Sequence, residues 1–231
     1  HVNWQERGRM LRTSFAVDVT ANEVTCDIQF GNIKRPNHAN TSWDAAKYEI
    51  CAQKWLDISQ TDKGVALLND CKYGHAAAGN VISLNLLRAT ESPDVNADIG
   101  EHEFTYSLYP HSGNHFAGCV NRAGYELNMP LAVLGTDSHK GTAPECYSFA
   151  SVDNPSVVIE TVKRAEDDSG IILRLYEADG SSAVARVITG FDVKSAVYTD
   201  LLENEIAGSI DPEIITLSFK PFEIKTLKLF V

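Results

Sequence analysis

Cysteine is scarce in this sequence, and the cysteines lack the close spacing that is typical of metal sites. There are five cysteines, an odd number, with no CxxC pair and none after Cys146. Structural zinc sites need closely spaced soft ligands, so this pattern argues against one. We therefore expect free thiols in a reducing compartment such as the cytoplasm, with disulfides as the second interpretation.

Long apolar runs and clustered positive charge are also missing. No stretch approaches the roughly 20 apolar residues that cross a bilayer, and the first residues, HVNWQERGRML, lack a signal-peptide core. The net charge is -11, with scattered lysines and arginines, which disfavours a nucleic-acid partner. Because the chain does not begin with Met, we expect a processed product or an excised piece of a longer protein.

Familiar catalytic motifs are absent as well. The sequence contains no GxSxG nucleophile elbow and neither GxGxxG nor GxxxxGK[ST], so no serine nucleophile or nucleotide cradle is indicated. Cys71 precedes Lys72, and a neighbouring cation favours thiolate. A buried, inert thiol is nevertheless the favoured interpretation of Cys71.

What the sequence does contain is alternation of apolar and polar residues. In EVTCDIQF, residues 23–30, every second residue is apolar, and HEFTYSLYPH, residues 102–111, shows the same pattern. Successive side chains of a strand point to opposite faces, so the pattern predicts half-buried antiparallel sheets and an all-β fold. TSWDAAKYEICAQKW, residues 41–55, has helical propensity, but its alternation favours a strand.

The last third of the chain predicts a small β-sandwich. Short alternating segments follow one another, and Asp179-Gly180 is typical of a tight hairpin turn. Tryptophan, histidine and cysteine are frequent before residues 147–156 and absent afterwards. We place a domain boundary there, giving domains 1–150 and 151–231.

A histidine cluster raises the question of a metal site. His102, His111 and His115 lie near Glu101 and Glu103. Pro110 and Gly113 predict a loop, which removes the helical spacing that would align His111 with His115. A catalytic metal bound by these residues alone is therefore disfavoured.

Two polar stretches remain: RPNHANTSWD, residues 35–44, and LLNDCKYG, residues 67–74. Each combines amide, carboxylate, cation and aromatic groups. Sugar hydroxyls bind such polar groups, while the apolar face of a sugar stacks on aromatic rings. The alternative is that asparagine and aspartate side chains hold long loops through bonds to nearby backbone.

These stretches carry a resemblance. FGNIKRPNHANTSWDAAKYEICAQKWLDIS, GVALLNDCKYG, ISLNLLRATESPDVNADIGEHEFTYSLYPH and GYELNMPL, in this order, resemble the C-terminal region of glycoside hydrolase family 38. The similarity is closest to the α-mannosidases of the cytosolic and vacuolar branch and their bacterial relatives. Residues 155–231 resemble the terminal sandwich of these enzymes by pattern alone.

The resemblance implies an all-β fold, with part of a galactose-mutarotase-like β-supersandwich followed by an immunoglobulin-like sandwich. It also implies retaining hydrolysis of α-mannosides, which uses two carboxyl groups about 5–5.5 Å apart. In this family zinc or another divalent metal binds the sugar. The nucleophile, the acid/base residue and the metal ligands belong to an N-terminal barrel, and nothing in this chain matches those motifs. We therefore expect neither catalytic residues nor a bound metal here.

The resemblance also suggests residues that line the substrate cleft. Arg88 occupies the position of an arginine near the bound sugar in relatives, and Asn69, Asp70, Lys72 and Tyr73 form a second candidate rim. The expected partners are an α-mannoside or mannose-containing oligosaccharide and the N-terminal catalytic barrel of the same protein, with homo-oligomer formation left open. No nucleic-acid or membrane partner is expected.

Two other functions remain as alternatives. One is a free-standing carbohydrate-binding or structural β-sandwich module without a catalytic partner. The other is a mutarotase-like enzyme that uses a histidine and a glutamate, for which His102 and Glu103 are the adjacent candidates. Neighbouring strand residues point to opposite faces, so they are poorly placed to act on one sugar.

Overall fold

The computed structural model describes residues 1–138 and 140–231. Antiparallel strands dominate, which confirms the all-β prediction, and the chain divides into two compact units, His1–Ala132 and Val133–Val231. The described part of the stretch 130–149 contains neither helix nor strand. The predicted boundary at residue 150 therefore remains a prediction.

The first unit consists mainly of strands joined by short loops. Its elements are β1 (Val2–Trp4), β2 (Leu11–Ala16), β3 (Glu23–Ile28), β4 (Gly31–Pro36), α1 (Ser42–Ala45), β5 (Ile50–Cys51), β6 (Trp55–Ser59), β7 (Lys63–Asn69), β8 (Gly74–Ala78), β9 (Val81–Leu87), β10 (Gly100–His102), β11 (Tyr106–Ser112) and α2 (Val120–Asn128).

Two of its sheets enclose a shared apolar core. One sheet has the order β11-β7-β6-β3-β4 and the other β2-β9-β8-β5, while β1 pairs with β10. The predicted alternation directs Val24 and Cys26 of β3 into this core, where they meet Ile82 and Leu84 of β9. Burial of these side chains is the main stabilising contribution that the pattern predicts.

The outer face of the five-stranded sheet is covered as well, contrary to the half-buried expectation. Trp55 on this face packs against Val120 of α2, a helix that the sequence analysis missed. The polar residues Asp27 and Asp57 consequently lie at 1% and 0% exposure. Asp27 is compensated by Lys54, whose backbone N–H and Nζ both donate to its Oδ2 at 2.9 Å.

The second unit is a two-layer sandwich. Its strands are β12 (Ala150–Val152), β13 (Val157–Arg164), β14 (Ile171–Glu177), β15 (Ala183–Thr189), β16 (Ser195–Thr199), β17 (Thr216–Phe219) and β18 (Ile224–Phe230). They form sheets of order β12-β15-β17 and β13-β14-β18-β16, which pack around one core. The small sandwich predicted for the C-terminal third is thus confirmed.

The hairpin predicted at Asp179-Gly180 is wrong. Gly180 has the expected positive φ of 79°, but β14 and β15 on either side of it belong to different sheets. The buried carboxylate of Glu177 accepts hydrogen bonds from the backbone N–H groups of Asp179, Gly180 and Phe222 at 2.9–3.0 Å. This carboxylate holds the crossover between the layers together.

The strand predicted over residues 41–55 is also largely wrong. Thr41 caps the single-turn helix α1 by accepting a hydrogen bond from the backbone N–H of Asp44 at 3.1 Å. Extended structure is limited to the short β5 and the start of β6. Throughout the described residues, helices are too short and too polar to cross a bilayer.

Candidate functional site

Asn69 lies at the base of the candidate rim formed by residues 69–73. It ends β7 and is 1% exposed. Its Nδ2 donates to the carbonyl of Gln53 at 2.7 Å, and its Oδ1 accepts from the backbone N–H of Lys72 at 2.6 Å. Both ends of the amide are therefore used in shaping the loop 70–73, as expected of an asparagine that organises a turn.

Asp70 connects this loop to Thr105, the residue just before β11. Its Oδ2 accepts from the backbone N–H of Thr105 at 2.9 Å, and its own N–H donates to the carbonyl of Thr105 at 3.1 Å. Its Oδ1 is buried without a partner among the described residues. One carboxylate oxygen thus holds the loop to Thr105, and the other is enclosed by the protein.

Lys72 and Tyr73 are the members of the loop that reach its surface. The Nζ of Lys72 lies 5.0 Å from the centre of the Phe104 ring, and Tyr73 is 54% exposed. Cys71, between Asp70 and Lys72, is exposed, so the expectation of a buried thiol is wrong. Partial burial and the neighbouring Asp70 raise the pKa of Cys71, which opposes activation as a nucleophile.

Arg88 follows β9 and lies on the surface. Its backbone N–H and that of Ala89 donate to Oδ2 of Asp98 at 3.0 and 2.7 Å. These backbone bonds, that of Ala89 first, lower the pKa of Asp98 and keep it ionised. The Arg88 guanidinium itself has no hydrogen bond or ion pair to the described residues, so it is free to bind another molecule.

Strand pairing brings the two rims together. β8 and β9 are antiparallel, with His75 opposite Leu84, so the start of β8 and the end of β9 lie at the same end of the sheet. Lys72 is also close enough to Asp98 to help lower its pKa. Arg88, Lys72 and Tyr73 therefore lie at the same end of this sheet, and we call the exposed surface there the rim surface.

A neighbouring polar cluster was missed by the sequence analysis. Nε of Arg12 donates to Oδ1 of Asn85 at 2.6 Å, and Glu49 pairs with Arg12 and accepts from Asn85 Nδ2 at 3.3 Å. The three residues are distant in sequence: the register of β2 with β9 pairs Arg12 with Asn85, and Glu49 precedes β5 of the same sheet. No local pattern could have revealed this cluster.

In the stretch 35–44, polar side chains bond to backbone groups and hold the loop in place. Asn37 is 2% exposed, and its Nδ2 donates to the carbonyls of Ala21 and Gly79 at 2.9 and 2.7 Å. Together with the cap at Thr41, this asparagine holds a long connection in place. Trp43 of this stretch is 79% exposed, so its ring is accessible to a ligand.

The histidines do not assemble with the neighbouring glutamates. His102 places its Nε2 2.8 Å from the carbonyl oxygen of Asp98, whereas Glu103 approaches His1 at an exposed position. Within residues 1–138 and 140–231, no three histidine, cysteine, aspartate or glutamate side chains are grouped so that they could hold a metal ion.

The rim surface has the chemistry of a binding surface. It presents a guanidinium, an ammonium and a phenol, which can donate hydrogen bonds to hydroxyl oxygens, and a half-exposed aromatic ring. These groups suit a polyhydroxylated ligand and do not by themselves provide a pair of facing catalytic carboxyl groups.

Comparison with known families gives two matches. Residues 1–96 match the profile described as glycosyl hydrolases family 38 C-terminal domain, and residues 156–227 match that described as glycosyl hydrolases family 38 C-terminal beta sandwich domain. Together they include both candidate rims and nearly all strands of the second unit.

Individual proteins agree with these matches. The chain is 44% identical to "Alpha-mannosidase 2C1" of Mus musculus and 39% identical to "Alpha-mannosidase G" of Dictyostelium discoideum, with 99% of the chain aligned in each case. It spans 22% and 21% of their lengths. An alpha-mannosidase from Enterococcus faecalis V583 has the same fold over 99% of this chain and 26% of its own, with a TM-score of 0.82 at 20% identity.

Proposed function

Because the chain belongs to the C-terminal region of glycosyl hydrolase family 38, we propose that it is the β-domain of an α-mannosidase. In this proposal it packs on an N-terminal catalytic barrel and lends the rim surface to the substrate cleft. Two similar proteins carry the name alpha-mannosidase and align with 99% of this chain over about a fifth of their own length. The chemistry is retaining hydrolysis of α-mannosides or mannose-containing oligosaccharides.

The observation that carries the proposal is the convergence of Lys72, Tyr73 and Arg88 at one end of the four-stranded sheet. Arg88 is the strongest candidate for sugar contact, since its guanidinium is exposed and its backbone is fixed by Asp98. Asn69, buried and fully bonded, acts as a positioning residue for the loop. Asp70 holds the loop through the hydrogen bond that its Oδ2 accepts from Thr105.

The divalent metal expected for the family does not fit the residues described here. No suitable group of three ligands exists in the described part of the chain. We therefore propose that the metal ligands, like the nucleophile and the acid/base carboxyl, lie in the barrel outside these 231 residues. The contribution of this chain is to bind and orient substrate, which lowers the entropic cost of reaching the reactive geometry.

A cytoplasmic location accompanies this proposal. Its support is that all five cysteines are unpaired, with Cys26 buried and the others exposed. Homo-oligomer formation stays a prediction, and light scattering on the longer protein would test it.

The test is Arg88→Ala in the longer protein that contains the barrel. Loss of a hydrogen bond from a charged group should raise the activation free energy by about 1–3 kcal/mol, which lowers kcat/KM roughly 5- to 150-fold. Stability should not change, because the Arg88 side chain makes no contact that the fold needs. Arg164→Ala, at an arginine with 79% side-chain exposure in the second unit, is the matched control. Unchanged kinetics for Arg88→Ala would remove this residue from the cleft.

A further inference from the structure

The outer face of the five-stranded sheet contains a buried ion pair that the rim surface does not use. Nε2 of His111 lies 2.7 Å from Oδ1 of Asp57, and the two side chains are 3% and 0% exposed. His111 is on β11 and Asp57 on β6, with β7 between them. The imidazole crosses β7 above Gly64, where an added Cβ would lie 2.4 Å from His111 Cε1.

The ion pair with His111 gives a hydrogen-bond partner to only one oxygen of the Asp57 carboxylate. The Oδ2 of Asp57 is buried, and no group in residues 1–138 or 140–231 bonds to it. The Nε2 of His115 is likewise buried without a partner in the described chain. Nearly all buried polar groups in folded proteins have a hydrogen-bond partner, so these two atoms require one from outside the chain.

Both residues line the same cleft. It has a volume of about 400 Å³, within the range of small-molecule sites. Thr25, directly opposite Asp57 in the strand pairing, also contributes to its lining. The remaining lining residues are polar: Glu23, Lys34, Ser59, Gln60, Thr61 and Asn114.

The charges in the cleft are balanced. Glu23 forms an ion pair with Lys34 on the neighbouring strand, and Asp57 is paired with His111. Burial lowers the pKa of His115, so this imidazole is neutral near pH 7. Burial, the largest single influence, lowers the pKa of His111, but the hydrogen bond to Asp57, the charge of Asp57 and nearby backbone bonds together raise it above its usual value. The cleft therefore offers no net charge to attract an ion.

The unpaired atoms determine what kind of ligand group fits. A carboxylate oxygen can only accept a hydrogen bond, so the ligand must donate to Asp57. The imidazole nitrogen of His115 can donate or accept according to its tautomer. A hydroxyl group can do both, and the hydroxyls and amides around it supply alternating donors and acceptors.

We propose that the Asp57–His115 cleft binds a small neutral polyol, such as a monosaccharide, through hydroxyl groups bonded to Oδ2 of Asp57 and Nε2 of His115. This site rests on the geometry of the first unit alone and does not depend on the proposed enzymatic function. His111 acts as a positioning residue that fixes the Asp57 carboxylate.

The test is a titration of the 231-residue chain followed by NMR. Methyl α-D-mannopyranoside, methyl α-D-glucopyranoside and glycerol are each added up to roughly 100 mM, above the millimolar affinity that a few hydrogen bonds provide. At least one polyol should shift the His115 imidazole resonances saturably. Absence of a saturable shift with all three, or binding of methylammonium in preference to them, would overturn the proposal.

Variants identify the site. His115→Phe removes Nε2 but keeps an aromatic ring on Trp55, on which His115 is stacked at 5.8 Å. It should weaken binding at least tenfold, whereas the matched control His38→Phe, outside the cleft, should not change it. Should His115→Phe fail to fold, Thr61→Val at an exposed turn removes one lining hydroxyl and should weaken binding severalfold. Equal affinities of the folded cleft variants and the wild type would overturn the assignment.

Discussion

Gly64→Ala should be among the most damaging single-methyl additions in the first unit. The new Cβ would lie 2.4 Å from His111 Cε1, 2.7 Å from His111 Nε2 and 2.7 Å from Ser59 Cβ. Ordinary van der Waals contact begins near 3.4 Å, so the imidazole must move by about 1 Å. Its 2.7 Å bond to Asp57 would then be lost.

The expected cost follows from the burial of this pair. Displacing one partner of a buried ion pair leaves an uncompensated charge, which typically costs about 3–5 kcal/mol. Gly64 does not have a positive φ, so alanine introduces no backbone strain to confuse the interpretation. The free energy of unfolding should be measured by urea titration, with the fluorescence of the buried Trp55 as the probe.

A double-mutant cycle separates this mechanism from general crowding. With His111→Ala already in place, Gly64→Ala should cost less than it does in the wild type, because only the close contact with Ser59 Cβ remains. Gly135→Ala, where an added Cβ meets nothing within 4 Å, is the control. A Gly64→Ala loss below about 1 kcal/mol, or losses that add fully in the double variant, would show that displacement of His111 is not the cause.

Two further predictions concern ionisation. Burial, as the largest cause, raises the pKa of Asp179 to about 6. The folded state thus binds this proton more tightly than the unfolded chain, and stability falls as pH rises from about 4 to 6. Asp179→Asn should therefore stabilise the second unit at pH 7, by at most about 3 kcal/mol, and not at pH 4; equal effects at both pH values in circular-dichroism melts would contradict this. Burial also raises the pKa of Cys26 to about 12, so iodoacetamide at pH 8 should alkylate the four exposed thiols and spare Cys26 until urea is added. Mass spectrometry would count the labels, and rapid labelling of Cys26 in the folded chain would be inconsistent with its burial.

The fold was predictable where burial and strand periodicity coincide. Val24 and Cys26 face the core as their alternation predicts, and the sandwich of the second unit follows from its regular short strands. The pattern failed where both faces of a sheet are covered. Asp57 looks like a solvent-facing residue of β6, and only the fold shows that His111 buries it.

Turn chemistry alone also proved insufficient. Asp179-Gly180 has the composition of a hairpin turn, yet the chain crosses between layers there. The carboxylate of Glu177 accepts hydrogen bonds from the backbone N–H groups of both residues and stabilises this crossover. Sequence cannot distinguish these outcomes, since both need a positive φ at the glycine.

The candidate site was predictable only in part. The resemblance directed attention to Arg88 and the loop 70–73, and strand pairing explains why these separated segments share one surface. The Arg12–Asn85–Glu49 cluster and the Asp57–His115 cleft depend on contacts between residues far apart in sequence. Such sites leave no spacing signal, and three-dimensional register is what reveals them.

We propose that this β-rich chain supports α-mannoside hydrolysis in a longer protein whose reactive carboxyl groups lie outside these 231 residues. The direct measurement compares release of aryl alcohol from an aryl α-mannoside by the purified 231-residue chain and by the longer protein with its barrel. We predict turnover by the longer protein and none above the blank by the folded chain alone. Turnover by the chain alone, retained through purification and lost on unfolding, would contradict the account.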